Sequence, residues 1–285
     1  MLNFDTLWDY NHPEETEQKF ISLLTEAVES GSNEYLTELL TQIARSQGLQ
    51  AKYELAHETL DRAESLLNKD LIVARIRYFL ERGRVFNSSF RPLDAVPLFL
   101  QAWELGIQSG EDDHAVDAAH MLGIAEATSE KRMEWNLKAL AYAEKHPKAS
   151  RWLGSLYNNI GWAKVENGNL EEALELFKRA LDFRKDQGNS NSVFIAKWCV
   201  AKVLRLLGQV EESFAIQKEL LAETKQTTNP DGYVLEEIAE CLLLLNRNEE
   251  AKQYLSLCYD RLILDDYLVS NNPERIARIK ELAGK

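Results

Sequence analysis

The chain is poor in the residues that staple, punctuate or flatten a fold. Its 285 residues contain three cysteines, six prolines, thirteen glycines and five histidines. Cys199, Cys241 and Cys258 follow no paired spacing, which excludes a disulfide framework or a zinc-finger pattern and fits a reducing compartment, with Cys241 and Cys258 read as core thiols. No run approaches the roughly 20 apolar residues that cross a bilayer, and Met1-Leu2-Asn3-Phe4-Asp5 lacks the basic start and apolar core of a secretion signal. A cytoplasmic protein with no membrane partner is expected. Alternating β-rich runs bounded by hairpin residues are also missing, so the chain reads as all-α. Basic charge is scarce: 33 lysines and arginines against 46 acids give a net charge of −13 and exclude general nucleic-acid binding, which needs a concentrated cationic surface. That acidity reads first as a solvated convex face that keeps the protein soluble.

What is present is an internal repeat. Small residues at Gly83, Gly123, Gly161, Ala201 and Ala239 are each followed twelve positions later by Ala95, Trp135, Ala173, Ser213 and Ala251, a second ladder with spacings of 40, 38, 40 and 38. A near-constant period in this range signals a stacked array, not one globular core. The clearest unit has Tyr157, Ile160 and Gly161 on one helix, a break at Gly168-Asn169, then Ala173, Phe177 and Ala180 on a second. Gly161 and Ala173 fall where the two antiparallel helices cross, and a bulky side chain there would push the axes apart.

This spacing resembles the tetratricopeptide (TPR) repeat, W-x2-L-G-x2-Y followed by A-x3-F and P, with Lys164 and Lys185 in place of the usual aromatic and proline. Ala95-x3-Phe99-x2-Ala102 repeats the second half well. Trp135 replaces a small residue, so that crossing is expected to be wider or rotated. The first unit keeps the offset as Ala44 and Ala56-x3-Leu60-x2-Ala63, although Gly48 comes early. The stretch Ser155–Trp162 also resembles uncharacterised bacterial TPR proteins. The resemblance implies a right-handed α-solenoid of about six helix pairs over residues 32–265, with units near 32–68, 70–110, 111–146, 150–188, 190–228 and 230–265. A capping helix within 1–31 and another within 266–285 complete it. Asn11-His12-Pro13-Glu14-Glu15, Asn229-Pro230-Asp231 and Asn272-Pro273-Glu274 read as helix starts, and Pro97 as an interruption inside a helix beginning near Pro92.

In such a superhelix the first helix of each pair lines a concave groove, so residues flanking the small-residue ladder are the candidates for ligand contact. They include Arg84, Asn87, His120, Asn158, Asn159, Trp162, Trp198, Lys202 and Arg205, with acids at Glu236, Glu237 and Glu240 in the last unit. Arginine and asparagine grip carboxylates and peptide backbones, and tryptophan offers a large apolar contact. The resemblance therefore implies a non-catalytic module that binds a protein or peptide in the groove and needs no cofactor or metal. Two bland readings compete. The polar residues can pair across neighbouring helices, as Asp117 with Arg84 or Glu81 with Arg77, and the tryptophans can pack between repeats. Two consecutive asparagines in a helix interior cost helix propensity, which points to a hydrogen-bonding task for one of them. A second functional reading is a ligand- or peptide-gated regulator. A third is an enzyme, for which His114, Asp117 and His120 have the spacing of a metal or general-base cluster, but no HExxH, phosphate-loop or GxSxG pattern supports it.

Overall fold

The computed structural model describes residues 4–224 and 230–285. Among them every regular element is helical. The chain divides into two compact bodies, Met1–Leu156 and Tyr157–Lys285. The first opens with a 3-10 turn at Phe4–Leu7 and two short helices, α1 (Pro13–Ser22) and α2 (Leu24–Glu29), and continues with three helix pairs. These are α3 (Asn33–Leu49) with α4 (Tyr53–Leu66), α5 (Ile72–Ser88) with α6 (Pro92–Ser109), and α7 (Asp112–Ala125) with α8 (Ser129–Ala143). A 3-10 segment, Pro147–Trp152, packs back on α7. Helix α9 (Leu153–Glu166) begins in the first body and ends in the second, where α10 (Leu170–Gln187) follows. Next come α11 (Ser190–Leu206) with α12 (Val210–Thr224), α13 (Gly232–Leu244) with α14 (Asn248–Leu262), then α15 (Asp266–Asn271) and α16 (Pro273–Ala283).

The helix starts follow from local chemistry. Ser32, Thr128, Asn189, Asp231 and Asp265 each accept a backbone N–H of the turn they precede, which satisfies a donor the helix itself cannot. Pro13, Pro92 and Pro273 stand at first helical positions, where a missing N–H costs nothing. At α13 the cap is Asp231 and Pro230 precedes it; Asn229, expected to take part in that start, lies outside the described residues, as do Met1, Leu2 and Asn3. Pro97 is tolerated inside α6.

A single turn geometry sets the register of five pairs. Ala51, Phe90, Gly168, Gly208 and Asn246 all have positive φ, between 57° and 81°. In each case the N–H of that residue and of the next return to carbonyls of the preceding helix, as Gly168 to Val165 and Asn169 to Lys164. The left-handed residue stands seven positions after the small residue of the first helix and five before that of the second, which is the origin of the constant offset of twelve. The α7–α8 connection is different: Glu126 leaves the helix in an extended conformation and Thr128 caps the next. Its register slides by one, so the residue against Gly123 is Asn136, not Trp135. A Cβ on Gly123 would stand 2.7 Å from the Asn136 amide, and Asn136, Leu140 and Ala143 take the places that Ala95, Phe99 and Ala102 hold in the preceding pair. Trp135 instead meets Trp103 edge-on at 5.8 Å.

Phe90 takes the left-handed conformation at φ 62° with its side chain 92% exposed, so the strain is not offset by packing. Phe90→Gly is expected to stabilise the protein by about 1 kcal/mol, read as a higher urea midpoint with an unchanged slope.

Small residues and aromatics interlock at the crossings. The Gly83 Cα faces the Phe99 ring and Gly161 faces Phe177, both rings fully buried. Gly106, in the last turn of α6, lets the Ala115 backbone of α7 approach, and Gly110 ends the helix in the left-handed region. In the first body α5 is shared between two cores: Tyr78 and Val85 pack with Leu40, Ala44 and Leu60, while Ile76 and Leu80 pack with Phe99, Ala118 and Leu122. In the second body Leu268, Ile276, Ile279 and Ala283 cover the face that α14 offers through Leu255, Cys258 and Leu262. Cys199, Cys241 and Cys258 are unpaired and buried, and burial pushes the Cys199 thiol up to about 11 and that of Cys258 up to about 12.

Candidate functional site

The first helices of successive pairs stand side by side in each body, α3 beside α5 and α5 beside α7 in the first, α11 beside α13 in the second. Polar side chains on these neighbouring faces reach one another. In the first body Arg77 lies 3.2 Å from Glu38, and Arg45 lies 3.3 Å from Glu81 Oε1. Arg84 donates to the same Glu81 oxygen at 2.6 Å and, with its other terminal nitrogen, to Asp117. Arg151 and the Trp152 indole N–H then close on Asp113 at 2.5 and 3.0 Å. In the second body Arg205 makes a two-point contact with Glu237 at 2.7 and 3.2 Å, and Lys202 approaches the same carboxylate at 3.3 Å. Arg275 pairs with Glu236 and Arg278 with Glu240.

One positional rule covers two of these contacts. The residue immediately after the small residue of one pair, Arg45 or Lys202, meets the residue two before the small residue of the next, Glu81 or Glu237. Arg84, Lys202 and Arg205, expected to contact a ligand, are therefore already engaged by buried carboxylates. The acids of the last pair are the partners of these and of the α16 arginines.

The remaining candidates divide as follows. Trp162 and Trp198 are half-buried and 6.0 Å apart, with Trp162 against Phe177 at 5.1 Å and Trp198 against Tyr233 at 6.4 Å. The Lys202 ammonium stands 4.8 Å from the Trp198 ring. Asn158 accepts a weak hydrogen bond from the Cys199 thiol at 3.6 Å, and Asn159 is half-buried beside it on α9. Asn87 is half-buried near the end of α5. His120 lies 5.3 Å from the Trp152 ring, and burial lowers its pKa. Asp117 does not join His114 and His120 in a metal cluster: no group of histidine, cysteine and carboxylate that could hold a metal ion occurs among the described residues.

A polar hollow of about 370 Å³ opens on the first-helix face of the first body. Arg45, Arg77, Glu81, Asp113, Asp117 and Arg151 supply its charges, and Tyr10 and Trp152 its aromatic walls. A smaller hollow of about 210 Å³ shares Tyr10, Arg45 and Glu81 and adds Arg84, Ser88 and Met121. Tyr10 is held there by stacking on Trp8 at 4.8 Å, and the Arg45 guanidinium lies 5.3 Å from both rings. The Trp8 indole in turn donates to Gln42 on α3 at 2.9 Å. The second body has an apolar hollow of about 260 Å³ lined by Phe194, Ile195, Trp198, Tyr233 and Asp231. Tyr10, Arg45, Asp113, Arg151 and Trp152 were not among the expected residues. Arg45 carried a signal, since it follows Ala44 as Arg84 follows Gly83; the others lie outside the repeat or at positions the ladder does not mark.

Burial alone would raise the Asp117 carboxyl, but the Arg84 and Arg45 guanidiniums together outweigh it and hold the group below its ordinary value. A carboxyl lowered in the folded state adds stability that is complete above its unfolded pKa and lost as pH falls through the folded value. The stability difference between wild type and Asp117→Asn is therefore expected to be largest at neutral pH and to shrink below about pH 4, measured by urea melts across that range.

Helix pairs crossing at small residues, with a left-handed turn at a fixed register, define a tetratricopeptide-repeat fold. Residues 153–186 match the family model described as tetratricopeptide repeat. Among curated proteins, the human outer dynein arm-docking complex subunit 4 is 27% identical over 130 residues, 46% of this chain and 18% of that protein, so only a minor part of the relative's length is matched. Two solved structures share the fold. A signal-transduction ATPase with numerous domains (STAND) from Pyrococcus horikoshii, which has a tetratricopeptide repeat sensor, superposes with a TM-score of 0.74 at 15% identity, covering 93% of this chain and 42% of that one. A Rap protein complexed with competence and sporulation factor gives 0.52 at 16% identity, covering 86% and 76%. No helix among the described residues is long and apolar enough to cross a membrane.

Proposed function

We propose that the chain is a non-catalytic module that binds a protein or peptide on its first-helix face, with the hollow of the first body as the principal contact site. The carrying observation is that hollow: an open polar cavity walled by Tyr10 and Trp152, with guanidiniums and carboxylates fixed by mutual pairing before a ligand arrives. Preorganised charges and rigid aromatics are the elements from which binding hot spots are made. Arg84, Asn87 and His120 border this region in sequence. Asn158, Asn159, Trp162, Trp198, Lys202 and Arg205 form a second candidate stretch in the second body. Three buried thiols suit a reducing compartment such as the cytoplasm.

The likeness to a tetratricopeptide sensor over 93% of the chain supports a second reading, a regulator whose conformation responds to the bound ligand. A change in radius of gyration on adding the partner separates that reading from a passive scaffold.

The test is affinity capture with wild type, Arg151→Ala/Trp152→Ala and Asn159→Ala/Lys202→Ala as parallel baits, each first shown to melt like wild type. A protein or peptide held by wild type and lost from the first double variant supports the reading. Identical partners on all three baits would move the binding surface off the first-helix face.

A further inference from the structure

We infer that the apolar hollow of the second body takes an arginine side chain from a protein partner. This rests on the reading that the first-helix face binds a protein or peptide, and names what the second-body part of that face recognises.

The hollow combines aromatic walls with one charge. Phe194, Ile195 and Trp198 of α11 and Tyr233 of α13 line its volume of about 260 Å³, and Asp231 is the one charged group among the described lining residues. The Trp198 and Tyr233 rings stand edge to face, 6.4 Å apart at 84°. Asp231 is only half-buried. Its Oδ1 caps α13 by accepting from the backbone N–H groups of Tyr233 and Val234 at 2.8 and 3.1 Å. Among the described residues no group hydrogen-bonds to its Oδ2, and no lysine or arginine pairs with it.

The same body shows what completes such a set. Lys202 lies 4.8 Å from the Trp198 ring and 3.3 Å from Glu237, and Arg275 lies 5.4 Å from the Tyr233 ring and pairs with Glu236. Arg247 repeats the arrangement, 5.3 Å from the Phe214 ring and paired with Glu250 at 2.7 Å. Each is a cation laid on a ring and held by a carboxylate. The hollow offers the rings and the carboxylate without the cation, and Lys202 and Arg275 are already committed to Glu237 and Glu236.

Arginine fits this gap better than other side chains. Its planar, weakly hydrated guanidinium stacks on a ring while donating to a carboxylate, and its apolar stem can lie along Phe194 and Ile195. An acidic or purely apolar side chain would cover Asp231 without giving it a countercharge, which costs free energy. The net charge of −13 also draws a basic partner toward the chain.

The full chain with isotope-labelled tryptophan is titrated by NMR with two N-acetylated, C-amidated tripeptides, Ala-Arg-Ala and Ala-citrulline-Ala. Citrulline keeps the shape of arginine and loses its charge. The Trp198 indole signal, assigned by its loss in Trp198→Phe, shifts saturably with the arginine peptide, and the citrulline peptide binds at least tenfold more weakly. Asp231→Asn weakens the arginine peptide to a similar degree while keeping the helix start, because asparagine caps as well as aspartate. Glu249→Gln, exposed on α14, leaves binding unchanged. The comparison of the two peptides is made on wild type, so it is independent of any variant's folding. Equal binding of the two peptides would overturn the assignment, and so would an unmoved Trp198 signal at millimolar arginine peptide. If the capture experiment still retains a partner lost from Asn159→Ala/Lys202→Ala, that unmoved signal rejects the arginine pocket and leaves the protein-binding reading intact.

Discussion

Glu237→Ala is expected to cost roughly 2–3 kcal/mol of stability. The carboxylate is 2% exposed and receives a two-point contact from Arg205 and an approach from Lys202. Removing it leaves the Arg205 guanidinium, itself largely covered, without its hydrogen-bonded carboxylate. Much of the loss is that residual penalty and not the worth of the pair, because taking both charges out of water offsets most of their attraction. The partial exposure of Lys202 and Arg205 keeps the expected figure at the lower end for buried pairs. A double-mutant cycle in denaturant checks it: Arg205→Ala alone should cost less, and Glu237→Ala/Arg205→Ala should be more stable than the two single losses added together. Additive losses would mean that the contact holds nothing together and that Arg205 is free to serve a ligand.

Gly161→Val is the second large effect, at about 3 kcal/mol of destabilisation. A Cβ on Gly161 would come within 2.8 Å of the Phe177 ring, which is fully buried and closed in on another side by Trp162. Helix propensity pulls the other way by roughly 0.5–1 kcal/mol for a glycine replaced by alanine in a helix, so Gly161→Ala loses less. Gly161→Ala combined with Phe177→Leu should recover part of that loss, since the smaller side chain makes room at the crossing. Chemical denaturation of the single and double variants measures both. Unchanged stability in Gly161→Val would show that the helices do not cross where the ladder of small residues places them.

The fold was legible because the repeat advertises itself through packing. Gly83, Gly161, Ala201 and Ala239 are small for a steric reason, and sequence spacing reports steric reasons well. Gly168 and Gly208 also mark their turns openly. Ala51 and Phe90 take the same left-handed conformation without any residue preference for it, and the fixed register, not local chemistry, holds them there. The same register explains the misplacement of Trp135: the ladder of twelve presumes the left-handed turn, and the α7–α8 connection lacks it. The site was less legible. The Arg84–Asp117 pairing was one of the two readings open for those residues. Whether a cation faces a ligand or a neighbouring helix depends on distances between pairs about 40 residues apart, which spacing alone does not encode. Tyr10, Arg151 and Trp152 reach the hollow from segments outside the helix pairs, where no periodicity points to them.

The most direct test of the account is the hydrogen-exchange footprint of the captured partner on the intact chain. Binding on the first-helix face predicts slowed exchange in α3, α5 and α7 and in the Pro147–Trp152 segment, with α4, α6 and α8 unchanged. Protection confined to α4, α6 and α8 would contradict it and place the partner on the opposite side of the helix pairs.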